Sequence, residues 1–214
     1  MERSKIRVMD IPDEENLVYP IVEIFHSVQG EGGRSGIPHV FIRFGGCNLA
    51  CAWCDTEFDE HEPRDTRWLV DQVQTHPCKS IIFTGGEPAL QDLAPLARLF
   101  RRSGYHVGIE TNGTVALEED LYDWICVSPK DQVYPNVTIR QRTGHELKVV
   151  DCGQDLSRYE ALAEGFDHLF LQPCYDASRT IEENGRGFRI TEQRVKDHPG
   201  WRLSLQTHKW MVIR

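Results

Sequence analysis

Short apolar runs follow one another along the chain, and polar stretches with their own periodicity separate them. Runs of four to eight residues rich in Val, Ile, Phe and Tyr predict β-strands. Such runs occupy residues 17–25, 38–44, 80–83, 105–110, 124–127, 146–150, 168–171 and 201–205. Hydrophobic residues at helical spacing predict helices at 66–75, 92–103, 156–163 and 191–197, with a short acidic helical piece at 117–122.

The order of these elements indicates the fold. Strands that alternate with helices are typical of a parallel sheet with crossover helices. Some connections, such as residues 132–144, are too irregular for a full helix. We therefore predict an α/β fold, namely an incomplete TIM-like barrel of about six parallel strands with fewer helices. A single domain over residues 1–214 would form it.

Side chains that can carry chemistry follow the ends of the predicted strands. They are Cys47, Thr84, Glu87, Glu110, Lys130, Gln172 and His208. In α/β barrels and open parallel sheets the carboxyl ends of the strands form the edge that carries the active site. The sequence therefore predicts that these side chains meet in one place.

Composition and charge narrow the function classes. A chain of 214 residues, 40% of them hydrophobic, is typical of a globular protein. A net charge of −9 argues against stable binding of nucleic acid, whose phosphates require a basic face. The first residues lack the apolar core of a signal peptide, and no apolar run reaches the ~18 residues of a membrane span. We therefore expect a cytoplasmic protein that binds neither nucleic acid nor a membrane.

Three of the seven cysteines lie close together, at Cys47, Cys51 and Cys54, in the spacing C-x3-C-x2-C. In the reducing cytosol such a group indicates a metal site rather than disulfides. Four-iron clusters take four cysteine ligands in ferredoxins, so three thiolates leave one iron open to an external ligand. We interpret that ligand as S-adenosylmethionine (SAM). A zinc site is the alternative, and its fourth ligand would have to be His61, Cys78 or a remote residue.

The other four cysteines are scattered. Cys78, Cys126, Cys152 and Cys174 are interpreted as small, buried apolar residues.

A Thr-Gly-Gly-Glu-Pro turn at residues 84–88 follows the third predicted strand. Its glycines let a ligand approach the backbone, and Glu87 offers an acceptor to an ammonium group. Alone, the turn would be an ordinary strand-to-helix connection. Together with the three cysteines and Trp53 before the last of them, it resembles the radical SAM superfamily. That resemblance implies a 4Fe-4S cluster on the three cysteines, with SAM as the source of a 5′-deoxyadenosyl radical.

A closer resemblance covers the chain from about residue 20 to its end. Its motifs are SVQGEG at 27–32, FIRFGGCNL at 41–49, CDT at 54–56, ETNG at 110–113, VSPK at 127–130, ELK at 146–148, LQP at 171–173 and SLQTHK at 204–209. They are similar to those of the 7-carboxy-7-deazaguanine synthase family. The resemblance implies ring contraction of 6-carboxy-5,6,7,8-tetrahydropterin with loss of ammonia, on the route to queuosine and other 7-deazapurines. It also implies a Mg²⁺ ion, a homodimer and an external one-electron reductant such as flavodoxin.

Three residues have chemistry that suits this substrate. Arg43 can pair bidentately with a carboxylate, although a surface charge on a strand is the plainer interpretation. Glu110 can accept hydrogen bonds from the amino and ring N–H groups of a pterin, although it could be a solvated strand end. By resemblance Thr56 ligates Mg²⁺, a hard cation that takes oxygen ligands; on its own it would be interpreted as a helix cap.

The resemblance assigns further residues to each ligand. Around the pterin it places Val28, Gln29, Gly30, Glu31, Thr84, His208 and the C-terminal Arg214, a variant ending for this family. Around SAM it places Trp53, Cys54, Asp55, Gly86, Glu87, Ser128, Pro129, Lys130, Gln172, Pro173, Cys174 and Tyr175.

Two other functions compete with this one. An activase that installs a glycyl radical on a partner enzyme would share the cysteine loop and the glycine-rich turn, but not Arg43 together with the SVQGEG and QTHK motifs. An iron–sulfur electron carrier or a zinc-stabilised binding module would require a fourth cysteine ligand and no SAM turn.

Overall fold

The structure is a computed structural model that describes residues 6–54, 56–176 and 178–211. The strands in that part of the chain are β1 (Val18–Val28), β2 (Pro38–Phe44), β3 (Glu62–Asp65), β4 (Ser80–Gly85), β5 (His106–Thr111), β6 (Trp124–Val127), β7 (Gly144–Asp151), β8 (Phe166–Pro173) and β9 (Arg202–Leu203). The α-helices are α1 (Thr66–Gln74), α2 (Ala94–Arg102), α3 (Glu160–Ala163), α4 (Ile181–Asp197) and α5 (Thr207–Met211).

Within the described residues all nine strands join one sheet, in the order β3-β1-β2-β4-β5-β6-β7-β8-β9. From β2 through β4 to β9 every pairing is parallel, while β1 runs antiparallel to both β2 and β3. Helices α1 to α4 lie in the crossovers, and the connection from β6 to β7 contains no helix in the described structure. The prediction of an α/β partial barrel with fewer helices than strands is confirmed.

The side chains of β2 alternate between the hydrophobic core on one face of the sheet and the cavity on the other. Val40, Ile42 and Phe44 are fully buried in the main hydrophobic cluster, against helices α1 and α2. Phe41 and Arg43 alternate with them and point to the inside of the sheet. Because successive side chains of a strand face opposite sides, an apolar outer face leaves the inner face available for chemistry.

Strand β7 repeats this division. Leu147 and Val149 belong to a second buried cluster that includes Leu171 of β8. Lys148 and Val150 occupy the alternate positions and face inwards. In the middle of β7 the inner face of the barrel therefore carries a buried cation, whereas Leu147 and Val149 make the outer face aliphatic.

Helix α4 begins at Ile181, well before the predicted start at residue 191. Gly185 and Gly187 made this segment resemble a loop, because each glycine in a helix costs about 0.5–1 kcal/mol. A capping box offsets that cost: the Glu183 amide donates to Thr180 Oγ1 at 3.2 Å, and the Thr180 amide donates to Glu183 Oε2 at 2.8 Å. The predicted boundary was wrong because this cap outweighs the glycines.

Two elements were not predicted. Strand β3 is polar throughout and pairs only with β1, so it has no hydrophobic pattern. Helix α5 is short and polar, and its position depends on contacts with the rest of the barrel. No helix in the described part of the chain has both the length and the apolar surface needed to cross a bilayer.

Candidate active site

A cavity of about 450 Å³ lies inside the barrel, at the carboxyl ends of the parallel strands. Most residues singled out from the sequence line it. They are Val28, Gln29, Gly30, Glu31, Arg43, Cys47, Cys51, Trp53, Cys54, Thr56, Thr84, Gly86, Glu110, Ser128, Lys130, Gln172, Pro173, Cys174, Tyr175 and His208. The fold thus brings together side chains that are far apart in sequence, as the strand-end argument predicted.

Glu87 is an exception, and its predicted position needs correction. Its side chain is fully buried and does not line the cavity. The carboxylate accepts hydrogen bonds from Thr111 Oγ1 at 2.7 Å, from the Asn112 amide at 2.6 Å and from the Ala89 amide at 3.0 Å. Burial raises the pKa of Glu87, and these hydrogen bonds oppose that rise. Glu87 therefore holds the turn after β5 in place instead of facing an ammonium group.

Three other residues that the sequence assigned to a ligand are not among the residues that line the cavity. Pro129 is buried outside the lining, between Ser128 and Lys130, which both belong to it. Asp55 and Arg214 lie outside the described residues.

The three clustered cysteines, Cys47, Cys51 and Cys54, line the cavity and are here called the cysteine wall. Cys47 and Cys51 are partly buried and Cys54 is exposed. Burial raises the pKa of the Cys47 and Cys51 thiols, and the charge of Lys130 acts in the opposite direction. Side chains within the described ranges form no group of three or more His, Cys, Asp or Glu that suits a single metal ion.

This geometry distinguishes the metal sites considered above. A structural zinc ion needs four ligands converging on one point, and the described cysteine wall offers no such point. In a four-iron cluster each thiolate binds its own iron, so the three sulfurs need not converge. The cysteine wall and the adjoining open cavity fit the cluster.

The two glycines of the 84–88 turn serve packing as well as ligand access. Gly85 has φ of +132°, and a Cβ atom there would lie 2.1 Å from the Phe44 carbonyl oxygen. A Cβ atom on Gly86 would lie 2.1 Å from the Gly46 oxygen. The Gly86 amide donates to the Phe44 oxygen at 3.1 Å. Glycine therefore lets the turn lie directly against the backbone that leads into the cysteine loop.

A buried lysine organises the charged floor of the cavity. Lys148 Nζ lies 2.6 Å from Glu31 Oε2 and 3.3 Å from Glu110 Oε2, and its side chain is 4% exposed. Gln29 Nε2 donates to the other Glu110 oxygen at 2.5 Å. Gln206 Nε2 donates to Glu31 Oε1 at 2.8 Å. Both carboxylates are thus held from two sides.

The electrostatics keep Glu31 and Lys148 charged. Burial acts to raise the pKa of Glu31, but the charge and hydrogen bond of Lys148 and a hydrogen bond from Gln206 lower it to about 2. Burial acts to lower the pKa of Lys148, but the surrounding acidic groups, Glu110 and Glu31 among them, raise it well above its usual value. At neutral pH the floor therefore presents the charged carboxylate of Glu31 beside the ammonium group of Lys148.

Arg43, on β2, also lines the cavity. Its Nε donates to Glu23 Oε1 at 2.9 Å and its Nη1 to Thr56 Oγ1 at 3.3 Å. The guanidinium carbon lies 5.7 Å from the centroid of the Phe25 ring. With 22% of its side chain exposed, Arg43 is a preorganised cation of the cavity and not a surface charge.

Lys130 lies beside the cysteine wall. Its Nζ donates to the Ser128 backbone oxygen at 2.5 Å and to Ser128 Oγ at 2.7 Å, and it sits 5.8 Å from the centroid of the Trp53 indole ring. Burial lowers the pKa of Lys130. Ser128 and Lys130, both assigned to SAM by resemblance, are therefore adjacent to each other and line the same cavity as the three thiols.

Helix α5 closes the cavity on the side of β9. The Thr207 amide donates to the Gly30 carbonyl oxygen at 2.9 Å. A Cβ atom on Gly30 would lie 2.1 Å from His208 Nδ1, so only glycine permits this approach. The C-terminal segment and the loop after β1 thus form one joint wall.

Several lining residues were not assigned to a ligand from the sequence. They are Glu23, Phe25, Phe41, Leu49, Phe58, Gly85, Thr111, Asn112, Lys148, Val150, Gln206 and Lys209. A signal existed for Lys148, which stands two positions from Glu146 in a strand whose other positions are apolar. Charged residues at alternate positions of a central strand indicate a polar inner face.

Comparison with known proteins adds independent information. Residues 41–147 match the family model of the Radical SAM superfamily. The chain is 43% identical over 194 residues to a 7-carboxy-7-deazaguanine synthase of Bacteroides thetaiotaomicron, covering 91% of this chain and 98% of that protein. It is 40% identical over 223 residues to the enzyme of that name from Bordetella pertussis, covering 92% and 100%. The crystal structure of QueE from Escherichia coli superimposes with a TM-score of 0.68 at 26% identity, covering 94% of this chain and 99% of QueE.

Proposed function

The chain belongs to the 7-carboxy-7-deazaguanine synthase family of the radical SAM superfamily, and we propose that it converts 6-carboxy-5,6,7,8-tetrahydropterin to 7-carboxy-7-deazaguanine with loss of ammonia. One observation carries the proposal: a single cavity holds the three cysteines, the cation Arg43 and the carboxylate Glu110. A glycyl-radical activase is not favoured, because the similar proteins share the synthase name over nearly their whole lengths.

The cysteine wall would hold the 4Fe-4S cluster through Cys47, Cys51 and Cys54. Around SAM we place Trp53, Asp55, Gly86, Ser128, Pro129, Lys130, Gln172, Pro173, Cys174 and Tyr175. When bound, the reduced cluster and SAM supply a radical that takes the hydrogen from C6 of the pterin. The protein would position SAM and the pterin and exclude water from them, because hydrogen transfer to a radical requires the reacting atoms at contact distance.

The pterin would lie between Arg43 and the charged floor. Arg43 offers its guanidinium to the substrate carboxylate, a pairing strengthened by charge on both partners. Glu110, which Gln29 and Lys148 hold in place, would accept hydrogen bonds from the amino and ring N–H groups. Backbone and side-chain groups of Val28, Gly30, Glu31, Thr84, His208 and Arg214 complete this proposed site.

Replacing Arg43 with alanine tests the carboxylate pairing. Loss of a charged hydrogen bond costs about 1.5–3 kcal/mol, so we expect kcat/KM for the pterin to fall about 10- to 150-fold. Reductive cleavage of SAM should persist, since Arg43 does not belong to the cysteine wall. The measurement is product and 5′-deoxyadenosine formation by the same anaerobic sample.

The matched control is Arg43→Lys, which keeps the charge but not the planar fork. It should lose less pterin activity than Arg43→Ala. Equal loss of pterin turnover and of SAM cleavage in Arg43→Ala would contradict the assigned role.

We propose that a Mg²⁺ ion binds near Thr56. The support is the position of the hydroxyl, which lies in the cavity lining beside Arg43, where the substrate carboxylate would also arrive. Mg²⁺ takes oxygen ligands and keeps several waters. One protein hydroxyl together with substrate oxygens therefore suits its coordination.

Replacing Thr56 with valine should raise the Mg²⁺ concentration needed for half-maximal activity by about tenfold, which is the lower range of a lost ligand-shell contact. Thr56→Ser keeps the hydroxyl and should behave as the original chain does. The readout is a Mg²⁺ titration of product formation, with SAM cleavage recorded alongside. An unchanged Mg²⁺ requirement in Thr56→Val would refute the ligand role.

We further propose that residues 1–214 act as one radical SAM domain, in a cytoplasmic homodimer that receives its electron from an external donor such as flavodoxin. The support is the resemblance of the motifs to the synthase family, which covers the chain from about residue 20 onwards. Sedimentation of the reconstituted protein and reduction by purified flavodoxin test these points separately.

Anaerobic reconstitution with iron and sulfide tests the proposed reaction. We expect a cluster spectrum that changes when SAM is added, and 7-carboxy-7-deazaguanine once the carboxypterin, Mg²⁺ and a reductant are present. Failure of a fully loaded and reduced sample to turn over this pterin would refute the substrate while leaving the superfamily intact. An electron carrier would show no spectral response to SAM.

A further inference from the structure

The loop between β1 and β2, here called the plug loop (residues 29–37), runs from the cavity to an exposed segment at residues 35–37, just before β2 begins. Two hydrogen bonds close its base: the Gln29 amide donates to the Ile37 oxygen, and the Gly36 amide to the Gln29 oxygen, both at 2.8 Å. Gln29 and Glu31 at its start line the cavity. The plug loop therefore supplies part of the proposed substrate site.

Side chains of distant strands hold the middle of the plug loop. The Gly32 amide donates to Ser204 Oγ at 3.0 Å, and the Gly33 amide donates to Glu146 Oε2 at 2.8 Å. Glycines at positions 30, 32 and 33 surround Glu31, and glycine has little conformational preference of its own. Contacts outside the backbone must therefore fix the position of Glu31.

Arg34 supplies such contacts at the far end of the loop. Its Nε donates to His39 Nε2 at 3.3 Å, its Nη2 donates to Ser80 Oγ at 3.4 Å, and its Nη1 lies 3.5 Å from His106 Nε2. Its guanidinium carbon lies 5.5 Å from the centroid of the Trp124 ring. These partners stand near the amino ends of β2, β4, β5 and β6, opposite the cysteine wall.

The histidines accept from Arg34 only in one form. A guanidinium group can only donate hydrogen bonds, so Nε2 of His39 and Nε2 of His106 must both be unprotonated. Burial, with the neighbouring Arg34 and His106, lowers the pKa of His39 to about 3, and burial lowers that of His106. Both rings therefore stay neutral at physiological pH and can bind the guanidinium without repelling it.

This arrangement leaves two donors unpaired. The Nδ1 atoms of His39 and His106 are buried, and within the described structure neither has a hydrogen-bond partner. Buried polar atoms without partners are rare because each forgoes its hydrogen bonds to water. In both His39 and His106, the ring orientation that points Nε2 at Arg34 is the one that leaves Nδ1 without a hydrogen bond.

We propose that Arg34 is a positioning residue, which fastens the plug loop to the amino-terminal end of the barrel and thereby fixes Gln29 and Glu31 against Glu110 and Lys148. Arg34 does not line the cavity, so it would act through the loop and not by touching substrate. The inference deepens the proposed function, and its activity readout rests on that function.

The test compares Arg34→Met with Arg34→Lys. In Arg34→Met we expect the KM for the carboxypterin to rise about tenfold or more, because loosely held binding groups lose their preorganisation. SAM cleavage in the absence of pterin should stay within about twofold, since the cysteine wall is untouched. Arg34→Lys keeps one charged donor, so its KM for the carboxypterin should lie between those of the original chain and Arg34→Met.

A second pair of variants tests the acceptor. His39→Gln places an amide oxygen near the position of Nε2 and should keep the KM for the carboxypterin at its original value. His39→Leu removes the acceptor and should raise the KM as Arg34→Met does. A role limited to general stability would instead lower the unfolding temperature in all four variants without separating KM from SAM cleavage.

Hydrogen exchange gives a readout that does not depend on turnover. In the reconstituted Arg34→Met protein, the amides of Gly32 and Gly33 should exchange about tenfold faster, while those of β7 stay protected. An unchanged KM together with unchanged exchange in the plug loop would overturn the proposal. If the original chain failed to turn over the pterin, the proposed function would fail, and exchange would still decide whether Arg34 anchors the loop.

Discussion

Replacing Lys148 with methionine is expected to lower kcat/KM for the carboxypterin by about 100-fold or more, because small misplacements of binding groups cost about that much in rate. Breaking a buried ion pair also typically costs about 3–5 kcal/mol of folding stability. Lys148 separates Glu31 from Glu110, at 2.6 Å and 3.3 Å from its Nζ. Methionine has a similar length but no charge, so the two carboxylates would face each other with nothing between them. One of them would take up a proton or turn away, and Glu110 would lose the orientation that pterin recognition requires.

The measurement is steady-state kinetics, with SAM cleavage and thermal unfolding recorded for the same samples. Lys196→Met is the matched control, since Lys196 lies on the surface in an ion pair with Glu192 and is 60% exposed. It should change kcat/KM by less than about twofold, because exposed ion pairs contribute little. If Lys148→Met loses no more kcat/KM than Lys196→Met does, the proposed role of the buried lysine is contradicted.

A double variant sharpens this prediction. Adding Glu31→Gln to Lys148→Met removes the second carboxylate and with it the repulsion. If the loss arises from two facing carboxylates, the double variant should recover part of the activity, since residues in contact show non-additive effects. Additive losses would instead indicate independent contributions to binding.

Replacing Cys51 with serine is expected to abolish synthase activity, by more than about 1,000-fold, because a thiolate ligand of the cluster is lost. A serine hydroxyl stays protonated at neutral pH and is a poor replacement for a thiolate. The reconstituted variant should contain less iron and should show no spectral change with SAM. Iron analysis and the spectrum report the effect independently of turnover.

Cys152→Ser is the control for this experiment. Cys152 was predicted to be buried, but the structure shows it exposed and outside the cavity lining. Its variant should therefore bind iron and turn over substrate normally. Synthase activity in Cys51→Ser, or equal iron loss in both variants, would contradict the assignment of the cluster to the cysteine wall.

Local patterns in the sequence accounted for much of this site. The apolar run of β2 and the cysteines that follow it are continuous in sequence, so their relation was visible without tertiary information. Arg43 was recognisable because it is the one charged residue in an apolar run, between Ile42 and Phe44. The strand-end rule then placed residues such as Glu110 and Gln172 together, because parallel strands end at the same edge of a sheet.

Other features depend on contacts between distant segments. The buried lysine of the cavity floor is 117 residues from Glu31 along the chain, and neither residue alone indicates an ion pair. Glu87 follows two glycines in a turn and therefore looked accessible, yet Thr111 and Asn112 from the next strand cover its carboxylate. The start of helix α4 was misplaced because glycines were weighted above the capping residues Thr180 and Glu183.

The most direct test of the account measures the fate of SAM during synthesis of the deazapurine. With wild-type enzyme, carboxypterin deuterated at C6 and SAM below the amount of substrate, we predict more 7-carboxy-7-deazaguanine than SAM supplied. The resemblance to the synthase family implies that the hydrogen taken from C6 returns after the ring rearranges, so that SAM is regenerated. One ammonia should be released per product, and deuterium should appear in the recovered SAM. Stoichiometric cleavage of SAM without deazaguanine formation, in a sample with a complete and reduced cluster, would contradict the central claim.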